Sequence, residues 1–273
     1  MNPAVAVATG RDLPTAPTFL GVSLKMYFDH DTTLEWTKAI LDIVTARPGL
    51  EDDVEVAVIP SFPSLQAVSR LANPLGVQVG AQNLSEHLDG PYTGEVSWRS
   101  LVQVGCRYVE IGHSERRTLF GETDQIVAAK TAVAWSAGLV PLLCLGEARR
   151  QAPDEAASQC VQQLADAIPT TPPLGQPELV IAYEPRWAIG AERAASADHI
   201  GRVAHSLHRW MAQHRPAVAV RVIYGGTAGP GLLSRLPPCV DGLFLGRLAH
   251  EPTVFAEVLD EAVARAVAAR RTA

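Results

Sequence analysis

Cysteine is scarce in this chain, and positive charge is outnumbered. The four cysteines among 273 residues, Cys106, Cys144, Cys160 and Cys239, form no Cys-x-x-Cys pair. Without such pairing the simplest setting is a reducing, cytoplasmic one. Lys and Arg number 23 against 29 Asp and Glu, a formal net charge of −6. That balance argues against a nucleic-acid partner but leaves open a local basic lining around an anionic ligand. No run is long and apolar enough to span a bilayer, so no membrane partner is expected. The start, MNPAVAVATGRDLPTAP, has no charged segment followed by an apolar one, so residues 1–17 read as a flexible extension and not as a signal. A Walker loop, a His-Glu-x-x-His helix and a nucleophile elbow are all missing. His205 and His208 share helical spacing off the apolar face; with no third ligand they read as exposed and give no metal site.

What is present is ample core material, 47% hydrophobic residues, in alternating patterns. Eight apolar β-type runs stand out: Phe19–Leu24, Val54–Ile59, Val77–Ala81, Tyr108–Ile111, Val140–Leu145, Leu179–Tyr183, Val220–Tyr224 and Gly242–Leu245. Several are near-continuous Val/Ile/Leu, as parallel strands buried on both faces require. Helical patterns fill the gaps. Thr32-x-x-Glu35 reads as a capping box, Thr123 as the cap of a helix ending near Gly138, and Ser196 as the cap before Ile200, Val203, Leu207 and Trp210. Pro252 suits the first turn of the last helix. Strands alternating with helices over roughly 250 residues match a single-domain α/β (β/α)₈ barrel over 18–273. Periodicity alone leaves an open doubly wound sheet as an alternative.

In such a barrel chemistry sits where strands end. Lys25 follows the first strand, His113 the fourth, Glu184 the sixth, Gly225-Gly226-Thr227 the seventh and Gly246-Arg247 the eighth. Each has a plainer reading. Glu184 is either a strand-end ion pair or a base that moves a proton between adjacent carbons. His113 is either a structural hydrogen bonder or, at the start of a short helix, a neutral imidazole that polarises a carbonyl. Lys25 either snorkels to solvent or supplies a fixed positive charge for phosphate and a developing enediolate. Glu115 contacts substrate or orients Lys25, and an ion pair with Arg116 is compatible with either. Gly225-Gly226-Thr227 is a turn or, with the loop after the eighth strand, a phosphate cradle of backbone N–H groups, with Arg247 alongside. Pro185-Arg186-Trp187 and the stretch from Gly190 to Ala195 read as the hinges and tip of a lid. The long loop from Gln82 to Glu95 suggests function by its length.

Taken together, AQNLS…GPYTGEVS, IGHSERR, CLGE, AYEPRWAIG and YGGT resemble triosephosphate isomerase signatures in order and spacing, from about Phe19 to the last helix. The resemblance implies a cofactor-free, homodimeric (β/α)₈ TIM barrel that interconverts phosphorylated aldose and ketose through an enediol. It implies Lys25 and His113 as the electrophilic pair and Glu184 as the base. It places Gly190, Thr227, Gly226, Gly246 and Arg247 at the phosphate, and Thr93 of the long loop beside a second subunit's site. It makes Cys144 a buried packing residue near the base.

The departures cluster at the substrate. The family usually reads Asn-Trp-Lys where this chain has Ser23-Leu24-Lys25. The lid tip, usually Gly-Thr-Gly-Lys, is Gly190-Ala191-Glu192-Arg193, and Arg247 replaces a glycine. An unaltered trio in an altered frame implies an isomerase with shifted specificity. Relatives that interconvert erythrulose phosphates, four-carbon ketose phosphates, are the expected match, because Ser23 leaves space for an added hydroxymethyl group. A true triosephosphate isomerase is the alternative. A non-catalytic phosphate-binding barrel is the third reading, and it would be marked by loss of the base, the imidazole or the lysine.

Overall fold

The computed structural model describes residues 17–169, 175 and 177–272. Of the extension expected over 1–17, all but Pro17 lies outside the described residues. The chain runs β1 (Thr18–Ser23), α1 (His30–Thr45), β2 (Val54–Ile59), α2 (Phe62–Ala72), β3 (Gln78–Ala81), α3 (Trp98–Gln103), β4 (Tyr108–Ile111) and α4 (Ser114–Leu119). It continues α5 (Asp124–Ser136), β5 (Val140–Leu145), α6 (Pro153–Ala167), β6 (Glu178–Tyr183), α7 (Ala197–His214), β7 (Ala219–Tyr224), β8 (Gly242–Leu245) and α8 (Pro252–Thr272). All neighbouring strands pair in parallel and β8 returns to β1, so the sheet closes. Closure removes the open-sheet alternative.

The strands are apolar on both faces because two cores flank them. One set of residues packs under the helices: Val22, Val58, Val109, Ile111, Leu143 and Ile181 belong to it. The other fills the barrel, with Phe19, Ile59, Tyr108, Leu142, Cys144, Ala182 and Phe244. Side chains alternate along a strand, so Ser23 in β1 and Glu110 in β4 share the inward face with Phe19 and Tyr108. Glu184, two residues beyond Ala182, continues the inward row of β6.

The two barrel ends differ in electrostatics. At the N-terminal end Arg221 donates to Glu55 Oε2 at 2.6 Å and to the Tyr108 hydroxyl at 2.7 Å, and Arg107 meets Glu178 at 2.8 Å. Tyr108 also donates to Glu55. These charges are matched and hydrogen-bonded to one another, as burial demands. At the C-terminal end the buried Glu184 Oε2 is left without a hydrogen-bond partner.

Helix starts follow side-chain chemistry. Thr123 and Ser196 cap α5 and α7 as expected, accepting from Ile126 N and His199 N, and Gly138 takes a φ of 73° after α5. The capping box at Thr32 does not form. Asp29 is the cap, its carboxylate accepting from Thr32 N at 2.8 Å, because α1 begins one turn earlier than the Thr32 pattern suggests. His208 also departs from expectation. It is half-buried and within 3.0 Å of Asp241 Oδ2, while His205 is exposed. Among the described residues no helix is long and apolar enough to cross a membrane.

Candidate active site

A cavity of about 620 Å³ opens at the C-terminal end of the barrel. Ser23, Lys25, His113, Glu115, Glu184 and every glycine expected of the site line it, together with Thr227 and Arg247. Thr93 does not; it is exposed on the Gln82–Glu95 loop.

Glu184 is the inward residue just past β6 and is 4% exposed. Its Oε2 has no hydrogen-bond partner and lies 3.4 Å from His113 Nε2. Burial, then the neighbouring Glu110 charge, raises its pKa well above the usual carboxylate range, against the pull of Lys25. The space it occupies exists because residue 225 is glycine. A Cβ there would stand 2.7 Å from Glu184 Cγ.

His113 caps the short helix α4, and its Nδ1 accepts from Glu115 N at 3.2 Å. A ring nitrogen that accepts carries no proton, so the neutral ring holds its proton on Nε2, facing Glu184. Burial, with Lys25 next, lowers the imidazole pKa to about 4. The ring is therefore neutral across the physiological range, as its place at a helix start suggested.

Lys25 has a φ of 50°, and among the described residues it is alone in a positive φ outside glycine. A left-handed lysine needs support from its surroundings. Gln82 gives it, Nε2 donating to Lys25 O at 2.8 Å and to Ile59 O at 3.2 Å. The ammonium is held 2.6 Å from Glu115 Oε1. Burial disfavours its charge, but the Glu115 hydrogen bond and the charges of Glu115, Glu184 and Glu110 outweigh that and raise its pKa. Of the roles considered for Glu115, orienting Lys25 is the one observed, and Arg116 pairs with Glu122 instead.

Two residues of the site were missed in the sequence. Gln82 sits in the AQNLS stretch at the start of the long loop, where nothing in the sequence marks a role of its own. Glu110 is the lone carboxylate in the apolar β4. Its Oε2 accepts from Ser23 Oγ at 2.9 Å, and its Oε1 lies 3.9 Å from His113 Nε2. Burial, tempered by Ser23 and Lys25, lifts its pKa to about 7. The available signal was a charged residue at an inward strand position, two residues from Tyr108.

The segment read as a lid lines this cavity with Ile189, Gly190, Ala191 and Glu192. Trp187 Nε1 donates to Glu147 Oε1 at 2.7 Å, and the buried Glu147 also receives the Tyr183 hydroxyl at 3.1 Å. Ala195 N donates to the Tyr224 hydroxyl at 3.0 Å. That phenol passes Gly226, where a Cβ would come within 2.2 Å of it. Thr227 is turned to the lid: its N–H meets Ala188 O at 3.0 Å, and its hydroxyl meets Ala188 O at 2.9 Å and Ala191 O at 3.0 Å. Arg247 is exposed at the rim, its guanidinium over Tyr27 at 5.9 Å. Among the described residues no group of three or more His, Cys, Asp or Glu is placed to hold a metal ion.

With a neutral imidazole facing a buried carboxylate, a fixed ammonium and a glycine-lined pocket, the site has what proton transfer beside a carbonyl needs. Comparison with known proteins agrees. The family model described as triosephosphate isomerase matches residues 18–262. The chain is similar to L-erythrulose-1-phosphate isomerase of Pectobacterium atrosepticum, 46% identical over 249 residues, 89% of this chain and 95% of that protein. It is 40% identical over 237 residues to triosephosphate isomerase of Magnetococcus marinus, covering 82% and 92% of the two chains. It is 37% identical over 236 residues to that of Thermus thermophilus, covering 84% and 94%. On its fold, its site and these matches, the chain belongs to the triosephosphate isomerase family and is an isomerase.

Proposed function

We propose that this isomerase acts without a cofactor on a four-carbon ketose phosphate, an erythrulose phosphate, and shifts its carbonyl by one carbon through an enediolate. The observation that carries the reading is Ser23, a short side chain lining the cavity with Lys25, His113 and Glu184, where it leaves room for an added hydroxymethyl group. The relative named for erythrulose 1-phosphate supports it.

The Glu184 carboxylate takes the proton from the carbon beside the carbonyl. The C–H electron pair becomes the enediolate double bond, and the carbonyl electrons move onto oxygen. His113 gives its Nε2 proton to that oxygen and recovers one from the neighbouring hydroxyl. Glu184 then returns its proton to the former carbonyl carbon, so product and substrate have the same atoms. A buried glutamate base with a neutral histidine has triosephosphate isomerase as its reference case, from which the role assignment is carried over. Lys25 offsets the negative charge of enediolate and phosphate, with Glu115 holding its ammonium in place. The backbone of Gly190, Gly226 and Gly246 receives the phosphate, Thr227 fixes the lid above it, and Arg247 adds charge at the rim.

The same reading makes the enzyme a cytoplasmic homodimer. Met26, Tyr27, Leu88 and Tyr92 are large apolar side chains left exposed on the Lys25 segment and the Gln82–Glu95 loop. A second copy would cover them and bring Thr93 toward the neighbouring site. The four cysteines are free thiols, in keeping with a reducing compartment.

Glycolytic triosephosphate isomerase activity is the second reading, favoured by the relatives at 40% and 37% identity that carry that name. Steady-state kcat/KM on L-erythrulose 1-phosphate and on glyceraldehyde 3-phosphate separates the two. Turnover of the triose near the diffusion limit with none of the tetrulose would establish the second reading and defeat the first.

A further inference from the structure

Glu110 is out of place in a barrel core. It is 3% exposed, sits on a four-residue strand whose other members are apolar or aromatic, and faces inward. The nearby cation, Lys25, is engaged by Glu115 at 2.6 Å. Glu110 Oε1 stands 3.9 Å from His113 Nε2, beyond hydrogen-bond range. A buried carboxyl without an ion partner destabilises a fold, so its contribution is to be sought in what it touches. It touches Ser23, whose Oγ donates to its Oε2 at 2.9 Å across 87 residues of sequence.

A serine hydroxyl has one proton and two lone pairs. An ionised Glu110 can only accept, so in that state the Ser23 proton is committed to it and the Ser23 oxygen offers only lone pairs. Ser23 lines the cavity and Glu110 lies behind it. We propose that Glu110 is a specificity-determining positioning residue: by holding the Ser23 proton it makes this corner of the cavity a pure hydrogen-bond acceptor, which favours a substrate that presents a hydroxyl there and disfavours one that presents a carbonyl or enolate oxygen. The inference rests on the four-carbon reading, since the hydroxyl in question is that of the added hydroxymethyl group. Ser23 supplies the space, and Glu110 sets its polarity.

The test compares kcat and KM on L-erythrulose 1-phosphate and on glyceraldehyde 3-phosphate for wild type, Glu110→Leu, Glu110→Gln and Ser23→Ala. Leucine fills much of the volume but accepts no proton. The ratio of tetrulose to triose kcat/KM should fall roughly tenfold to a hundredfold, as expected when one polar contact is lost. Glutamine retains a carbonyl that accepts from Ser23, so it should hold the ratio within about threefold of wild type. Ser23→Ala should lower the ratio like Glu110→Leu, and the double variant should go no lower, because both changes remove one hydrogen-bonded unit. A Glu110→Leu enzyme in which both substrates decline in parallel has lost structure and not discrimination, and overturns the inference. So does full additivity in the double variant. If Glu110→Leu does not fold, Ser23→Ala, which deletes a single oxygen, carries the test: an unchanged ratio refutes. A wild type that prefers tetrulose phosphate with an unchanged ratio in the variants sinks only the role of Glu110. A wild type inactive on tetrulose phosphate sinks the substrate reading first.

Discussion

Gly225→Ala isolates the position of the carboxylate from its chemistry. Gly225 lies outside the left-handed region, so alanine fits its backbone without strain. The three nearest atoms to the added methyl all belong to Glu184: Cγ at 2.7 Å, Oε1 at 2.8 Å and Cδ at 3.2 Å. Ordinary contact begins at 3.4 Å, so the Glu184 side chain has to retreat by about 0.7 Å or change rotamer. Displacement of a reacting group by about 1 Å lowers rate about a hundredfold, or about 2.7 kcal/mol of transition-state stabilisation. The phosphate-binding backbone is not touched, so KM should stay within about threefold while kcat falls. The assay is steady-state turnover on the better of the two sugar phosphates, with circular dichroism to verify that the barrel is folded. A Gly225→Ala enzyme with kcat within threefold of wild type would refute the assignment of Glu184 as the base at its observed position.

Other outcomes follow from the same geometry. Glu184→Gln keeps shape without basicity and should lower kcat by several orders of magnitude with little change in binding; an activity within tenfold of wild type rules the base out. Because burial raises the Glu184 pKa, and the base works only when deprotonated, kcat/KM should fall with falling pH at values well above the usual carboxylate range. His113, lowered to about 4, should add no limb near the ordinary histidine pKa; a profile flat down to pH 5 contradicts the raised pKa of Glu184. Ser23→Asn with Arg247→Gly should shift preference toward triose phosphates by roughly tenfold to a hundredfold, read as the ratio of kcat/KM values. Size-exclusion chromatography with light scattering should give a dimer, and a fully active monomer would count decisively against the role proposed for Thr93.

Much of this molecule is legible in its sequence, for local reasons. The eight apolar runs became the eight strands with boundaries shifted by at most one residue, because a parallel strand between two cores must be apolar throughout. Thr123 and Ser196 cap as expected because a cap is a contact across three residues. Lys25, His113 and Glu184 stood out because polar residues directly after such strands have one shared location in a closed barrel. Even locally the reading failed at α1, where Asp29 and Thr32 both had cap chemistry and only the backbone geometry of the helix start chose between them, and at His208, which packs against Asp241.

What the tertiary structure alone decided are the contacts that closure creates. Glu110 and Ser23 are 87 residues apart, and Gln82 and Lys25 are 57 apart. Neither pairing leaves a local pattern: Glu110 stands out in its apolar strand, but nothing nearby in the sequence names Ser23 as its partner. Barrel register and the inward alternation of β1 and β4 bring a serine hydroxyl to a carboxyl, and the Gln82 amide to a strained lysine carbonyl. The chain order sets which groups reach the cavity; their distances, burial and hydrogen-bond polarity arise only when eight strands share one interior, where water no longer screens one group from another.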